Sequence, residues 1–381
     1  MIVNNPGSIP EVFIVADNIL SPIGRTTAEN IESLKQGITG VKHHTNIDIT
    51  PNPIAAALFE TDFIDIDKNY TKFENLLISS IKDVLNISGT GYLNEKTVLI
   101  ISSTKGNISL LETEQHTDAL NTRMALHTSA QLIADYFGFV NQPIVISNAC
   151  ISGVMAILTG MRLIQSGRYE NAVVAGADVV SKFVLSGFQS FHALSSTVCK
   201  PFDKDRTGLN LGEGAATVVL SANKKNDNDV KVHSGAISND ANHISGPSRT
   251  GEELGFAIKK ALLDAGITAQ DVGYVSAHGT ATNYNDEMEA NAIHHAGLQD
   301  VLVNSLKGYY GHTLGAAGLI ESIITIHAIK DGVIFPSLGF EGNGVSKPIN
   351  VCTSLTEKPV KHALKTASGF GGCNAAMIFS K

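Results

Sequence analysis

Short runs of Val, Ile and Ala alternate along the chain with stretches in which apolar residues recur at three- and four-residue spacing. That alternation is the pattern of buried strands joined by helices. Strands are predicted over residues 11–17, 96–102, 143–148 and 172–177. Further strands fall at 217–220, 272–277, 301–305 and 375–379, the last led in by 366–369. Helices are predicted over 26–36, stopped by Gly37, and over 252–265 and 286–296. A further helical stretch, 152–165, carries so little polar face that it belongs inside the protein, and 315–329 reads as a mostly apolar helix. A polar segment, SANKKNDND at 221–229, separates two αβ halves and places a division at 1–222 and 223–381.

Composition narrows the class. Of 381 residues, 43% are hydrophobic and 17% charged, which provides for a sizeable core and excludes global disorder. Lys and Arg number 28 against 36 Asp and Glu, a formal charge of −8, which argues against nucleic acid or an anionic membrane as partner. No apolar run is long enough to span a bilayer, and the stretch MIVNNPGSIPEVF lacks the basic start and apolar core of a secretory leader. The four cysteines, 150, 199, 352 and 373, show neither metal-finger nor redox-motif spacing. The expectation is a soluble, cytoplasmic α/β protein.

Cys150 lies between a strand and a buried helix, in SNACISG. A thiol at a helix N-terminus meets unpaired N–H groups and the positive end of the dipole, which favour thiolate and lower its pKa. A free cysteine is also commonly an inert core residue, and position alone leaves both readings open. His278 ends a predicted strand in AHGTAT, and His312 opens a helix in GHTLGAAG. Both places can aim an imidazole into a cleft for acid–base work. Neither histidine has a short-spaced companion, so no metal site is expected. Lys307 directly follows a strand, and the turn GFGGCN at 369–374 offers N–H groups of the kind an oxyanion hole uses.

Five ordered blocks then carry a resemblance: NACISG at 148–153, PFDKDRTGLNLGEGAATVVL at 201–220, AHGTATNYND at 277–286, NSLKGYYGHTLGAAGLIES at 304–322 and GFGGCNAAMIF at 369–379. Together they resemble the β-ketoacyl-[acyl carrier protein] synthases, in the elongating Cys-His-His branch of the thiolase-like superfamily. The resemblance implies an α/β fold of five layers, αβαβα, made of two similar halves, and a homodimer or a heterodimer with a related subunit. It implies that Cys150 accepts an acyl chain from an acyl carrier protein as a thioester. His278 and His312 would then decarboxylate the malonyl donor and stabilise its enolate. Lys307 joins these catalytic residues by position, with Glu321 and Asp286 in a supporting charged network. The N–H groups of Cys150 and Phe370 match the oxyanion hole, and Phe370 also matches a mobile gate. Thr280 and Thr282 match residues that hold the carrier's phosphopantetheine arm. No metal and no resident cofactor are implied. Lys68 and Lys72 are candidates for docking the acidic carrier.

The chain departs from that pattern in places. Leu306 stands where the family has Thr, Gly308-Tyr309-Tyr310 replaces a Ser-Met-Thr run, and Ser368 replaces the first Phe of the closing turn. Cys373 replaces a Thr and follows the glycines, which reads as structural. Ser103-Thr104-Lys105-Gly106 replaces a glycine-rich loop bordering the acyl pocket, so an unusual substrate is expected. The alternative function is a non-catalytic partner subunit that sets chain length, and a cysteine hydrolase fits only the Cys and His.

Overall fold

The computed structural model describes residues 9–381 apart from Asn46, Thr61, Asp62 and Asp65. The first eight residues, where a leader was sought, lie outside the described residues. Ten strands form one mixed sheet. In chain order they are β1 (Phe13–Leu20), β2 (Thr97–Ser102), β3 (Ile144–Ile146), β4 (Asn171–Asp178), β5 (Gly214–Ser221), β6 (Val230–Asn239), β7 (Val272–Ser276), β8 (Val303–Asn304), β9 (His362–Gly369) and β10 (Cys373–Ser380).

The sheet is a duplication. Its first five strands lie in the order β3-β2-β4-β5-β1 and pair parallel, parallel, antiparallel, antiparallel. The last five, β8-β7-β9-β10-β6, repeat that series. The two copies meet where Phe13 and Ile14 of β1 pair with Lys231 and Val230 of β6. The middles of β2 and β4, Val98–Ile101 and Ala172–Ala177, are apolar without alternation because both faces are covered.

Helices complete the layers: α1 (Lys72–Ser88), α2 (Ser152–Gln165), α3 (Lys182–Ser190), α4 (Glu252–Ala265), α5 (Asn283–His295) and α6 (Ala317–Asp331). On one outer face Leu76, Leu77 and Ile81 of α1 pack on Leu99, Ile101 and Val173. On the other, Leu254 and Ile258 of α4 and Ile293 of α5 pack on Val275, Leu364 and Ile378. Between the sheet halves lie α2 and α6, whose Val154, Ile157, Leu319 and Ile323 share one core with Val98, Val218 and Met377. That gives the five layers αβαβα. The central helices touch backbone to backbone near their N-termini: a Cβ at Gly153 would stand 2.6 Å from the Leu319 nitrogen. This contact brings the segments carrying Cys150 and His312 together.

Helices 152–165 and 252–265 form where the spacing placed them, while 315–329 begins at Ala317 after a short 3-10 turn. Strand β6 alternates buried and half-exposed residues over its first eight positions, a period-two signal the sequence reading passed over, as it did α1 and α3. Among the described residues no helix is long and apolar enough to cross a membrane.

Candidate active site

Cys150 leaves β3 through a strained turn. Ala149 has φ of 44°, the left-handed region that a residue with a Cβ rarely adopts. Ser152 fixes the turn: its Oγ accepts the Asn148 N–H at 2.8 Å and donates to the Ala149 carbonyl at 2.7 Å. The Cys150 sulfur lies 3.1 Å from His312 Nε2 and accepts the Phe370 N–H. The rings of His278 and His312 meet edge to face, with centroids 5.3 Å apart. One donor atom from each of the three residues lies within 4.8 Å of the others. Three potential metal ligands thus converge where the sequence spacing led us to expect none.

The thiol differs from its sequence reading. Helix α2 begins at Ser152, two residues beyond Cys150, and burial dominates. Burial pushes the thiol up to about 12, with Cys373 and Asp178 adding to the rise and Lys307 and the Phe370 N–H opposing it. Both histidines are held well below the ordinary imidazole range, first by burial and then by Lys307 and Lys365. The resting site is a neutral thiol beside two neutral imidazoles, each able to donate one N–H. Burial thus suits the histidines to hydrogen-bonding a developing oxyanion.

A second ring of groups holds this one. His278 and Gly279 both donate their N–H groups to Glu289, at 2.7 Å each. Lys307 is fully buried, donates to the His278 carbonyl at 3.0 Å and is ion-paired with Glu321. Asp286 does not join that pair: its carboxylate accepts the N–H groups of Phe202 at 2.7 Å and Thr280 at 3.0 Å, with Arg206 4.0 Å away. Burial raises Asp286 to about 7 against those hydrogen bonds.

A pocket of about 220 Å³ opens over the triad, lined by Cys150, His278, His312, Thr280, Thr282 and Phe370 among others. The two threonine hydroxyls lie 2.8 Å apart. Phe370 is 39% exposed at the mouth, and its ring packs on Phe188 and Phe191 at 5.7 and 5.2 Å. Ser368 lines the same pocket, its hydroxyl donated to Asn374 at 2.8 Å.

The N-terminal domain of β-ketoacyl synthases matches residues 10–226, and the C-terminal domain matches residues 230–341. The chain belongs to the β-ketoacyl synthase family. A 3-oxoacyl-[acyl-carrier-protein] synthase 2 from Vibrio cholerae serotype O1 is 30% identical over 411 residues, spanning 97% of this chain and 99% of the relative. The solved ishigamide ketosynthase/chain length factor superposes with a TM-score of 0.87 at 25% identity, covering 98% of this chain and 100% of that one. A ketosynthase in complex with its chain length factor from Xenorhabdus doucetiae gives 0.86 at 24% identity, covering 97% and 98%. β-Ketoacyl synthases are acyltransferases of thiolase-like fold, and the protein is one of them.

Within this synthase the candidates sort by place. Cys150, His278, His312, Thr280, Thr282 and Phe370 line the pocket; Lys307, Glu321 and Asp286 lie behind it. Three residues were missed. Glu289 sits in a segment that reads only as helix, and Lys365 lies just before the 366–369 lead-in, outside any predicted element. Asp178 ends β4 and accepts from Ser103 Oγ at 2.8 Å, Thr104 N–H at 3.2 Å and Gly315 N–H at 2.7 Å. It thereby ties the loop after β2 to the turn that follows His312. An acidic residue ending an otherwise apolar strand, as in AVVAGAD, was the available signal. Cys373 is a buried free thiol whose Sγ donates to the Phe370 carbonyl at 3.4 Å. Lys72 is ion-paired with buried Glu213 at 2.6 Å, so it is less available for docking than exposed Lys68.

Proposed function

We propose that this synthase takes an acyl chain from an acyl carrier protein onto Cys150 and extends it by two carbons from a malonyl carrier. The Cys150 thiol gives its proton to His312 as sulfur attacks the acyl thioester, and the carrier's sulfur leaves with that proton, returning His312 to neutral. Malonyl thioester then loses CO2, and the enolate oxygen is held by N–H donors from His278 and His312. The enolate carbon attacks the Cys150 thioester, the new C–C bond forms, and the C–S bond to Cys150 breaks, the released thiolate taking one proton from solvent to restore the thiol. The N–H groups of Cys150 and Phe370 receive the tetrahedral oxyanion. Thr280 and Thr282 hydrogen-bond the phosphopantetheine arm, which is the only prosthetic element required and belongs to the substrate.

The observation that carries this reading is one thiol and two neutral imidazoles converging within 4.8 Å at the floor of a pocket. The division at 1–222 and 223–381 then assigns the nucleophile to one half and both histidines to the other. Lys68 is the docking candidate for the acidic carrier. Strand β3 ends the sheet with Ile144, Val145 and Ile146 half-buried, which suits pairing with a second subunit. That subunit is a copy of this chain or a chain-length partner. The cytoplasm is the expected compartment. A specialised polyene or polyketide pathway is favoured over housekeeping fatty acid synthesis by Ser368 and the 103–106 loop.

Intact-protein and peptide mass spectrometry after incubation with acyl carrier protein thioesters tests the reading. An acyl adduct on Cys150, absent in Cys150→Ala, is expected, and the preferred acyl group reports the pathway. Decarboxylation of malonyl carrier should survive Cys150→Ala and fall about 10²-fold or more in His278→Ala or His312→Ala. Condensation that persists in Cys150→Ala would refute the nucleophile assignment. No adduct with the chain alone, but one after a related subunit is added, would identify an obligate heterodimer.

A further inference from the structure

Two buried ammonium groups stand behind the histidines where one would neutralise the carboxylate between them. Lys307 is ion-paired with Oε1 of Glu321, and Lys365 of β9 lies 2.7 Å from Oε2 of the same side chain. Both lysines are fully buried. Their remaining protons go to three successive carbonyls at the end of β7. Lys365 donates to Ser276 and Ala277, at 3.2 Å each, and Lys307 donates to His278 at 3.0 Å. The neighbouring Thr366 gives its hydroxyl to Glu289 at 2.6 Å, the carboxylate that also receives the His278 N–H. The backbone delivering His278 is therefore gripped on its carbonyl side by two lysines and on its N–H side by one glutamate.

A buried charge is costly unless paired, and an apolar side chain in a strand core fills the same space without that cost. Around Lys365 the strand holds Ala363, Leu364, Thr366 and Ala367, all buried and none of them charged. Lys365 is thus an expensive choice for structure alone, and its hold on the two carbonyls that lead into His278 accounts for it.

We propose that Lys365 is a second positioning lysine of the condensing site, clamping the strand end that carries His278 and adding positive charge behind both imidazoles. The inference rests on the assignment of His278 and His312 to the enolate. The charged and titratable groups around these rings are Cys150 before α2, Asp178 of β4, Lys307 after β8, Glu321 of α6, Asp286 and Glu289 of α5, Lys365 of β9 and Cys373 of β10, with His192, Asp240 and His243 lining the pocket they face. Burial comes first in holding both rings neutral, and the two lysines reinforce it. Removing one ammonium raises the imidazole pKa. Because the neutral ring is the working form, the acid limb of the rate profile then moves to higher pH.

The test is CO2 release from malonyl carrier protein across pH for the full chain and for Lys365→Met, Lys365→Gln and Lys365→Arg, with folding followed by circular dichroism. In the Met and Gln variants the acid limb is expected to rise by about one pH unit, with kcat reduced and KM retained. Lys365→Arg keeps the charge and is expected to keep the wild-type limb. Folded Met or Gln variants with an unmoved limb overturn the inference. So does the failure of both to fold beside a normal Arg variant, which would assign Lys365 to stability. A wild-type chain that releases no CO2 refutes the reaction assignment beneath it.

Discussion

Alkylation of Cys150 by iodoacetamide as a function of pH separates two accounts of the nucleophile. Burial pushes its thiol up to about 12, against 9.0 for an unperturbed one. Three units correspond to about 4 kcal/mol of preference for the neutral form, and to a thiolate population about 10³ lower at neutral pH. Only the thiolate alkylates, so the rate should climb about tenfold per pH unit through pH 10 without a plateau. Peptide mapping is needed, because Cys199, Cys352 and Cys373 are also free. His312 supplies the second half of the argument. Its Nε2 is 3.1 Å from the sulfur, so the proton can leave in the attack itself rather than beforehand. His312→Ala should therefore slow acylation from a carrier thioester by about 10², with a far smaller effect on the pH slope of alkylation. A plateau with a midpoint below pH 9 would refute the reasoning. It would show that the helix terminus and the Phe370 N–H outweigh burial, as the sequence position of Cys150 first suggested.

Two further outcomes test the scaffold. Gly153→Ala places a Cβ 2.6 Å from the Leu319 nitrogen and 3.0 Å from the Gly315 carbonyl, so α2 and α6 must separate; a loss of about 1–3 kcal/mol in urea unfolding is expected, and an unchanged midpoint would show that the central contact is slack. Glu74 is held down to about 2 from 4.5: burial alone would raise it, but Arg123, the Thr71 N–H, Asn107 and Ser129 outweigh burial. A depressed carboxylate stabilises the fold above its unfolded pKa and loses that contribution as pH falls through 4.5 toward 2, here up to about 3 kcal/mol. Urea midpoints should therefore fall across that window in the wild type, and this part of the slope should vanish in Glu74→Gln.

Local patterns make the alternating strands and helices legible, and the nearly all-apolar α2 reads as a buried helix. The five layers and the pocket roles come instead from the resemblance carried by the blocks around Cys150, His278 and His312. What the sequence conceals is long-range pairing. Nothing around Asp286 distinguishes a partner of Lys307 from a partner of the Phe202 and Thr280 N–H groups; only the fold brings those segments together. The pKa of Cys150 is hidden for the same reason, since burial by distant segments reverses the trend that its helix-terminal position implies. Lys72 reads as a solvated lysine, yet Glu213, far along the chain, takes its charge.

The duplicated topology explains why the site lies where it does. In an open α/β sheet, functional groups collect beyond the carboxyl ends of the parallel strands. Each half has three such strands, and all six ends contribute here. From the first half, β2 leads to Ser103 and Thr104, β3 to Cys150, and β4 ends at Asp178, which binds the first of these loops. From the second, β7 leads to His278, β8 to Lys307 and β9 to Phe370, with Lys365 midway along that strand. Position for position, the loop carrying Cys150 in one copy corresponds to the loop carrying Lys307 in the other. The duplication supplies two equivalent mouths, and their chemistry has diverged: one presents a nucleophile, the other donors and positive charge. Bringing thiol and imidazole to 3.1 Å then depends on the close packing of α2 on α6, which makes Gly153 as much a part of the site as the residues that line it.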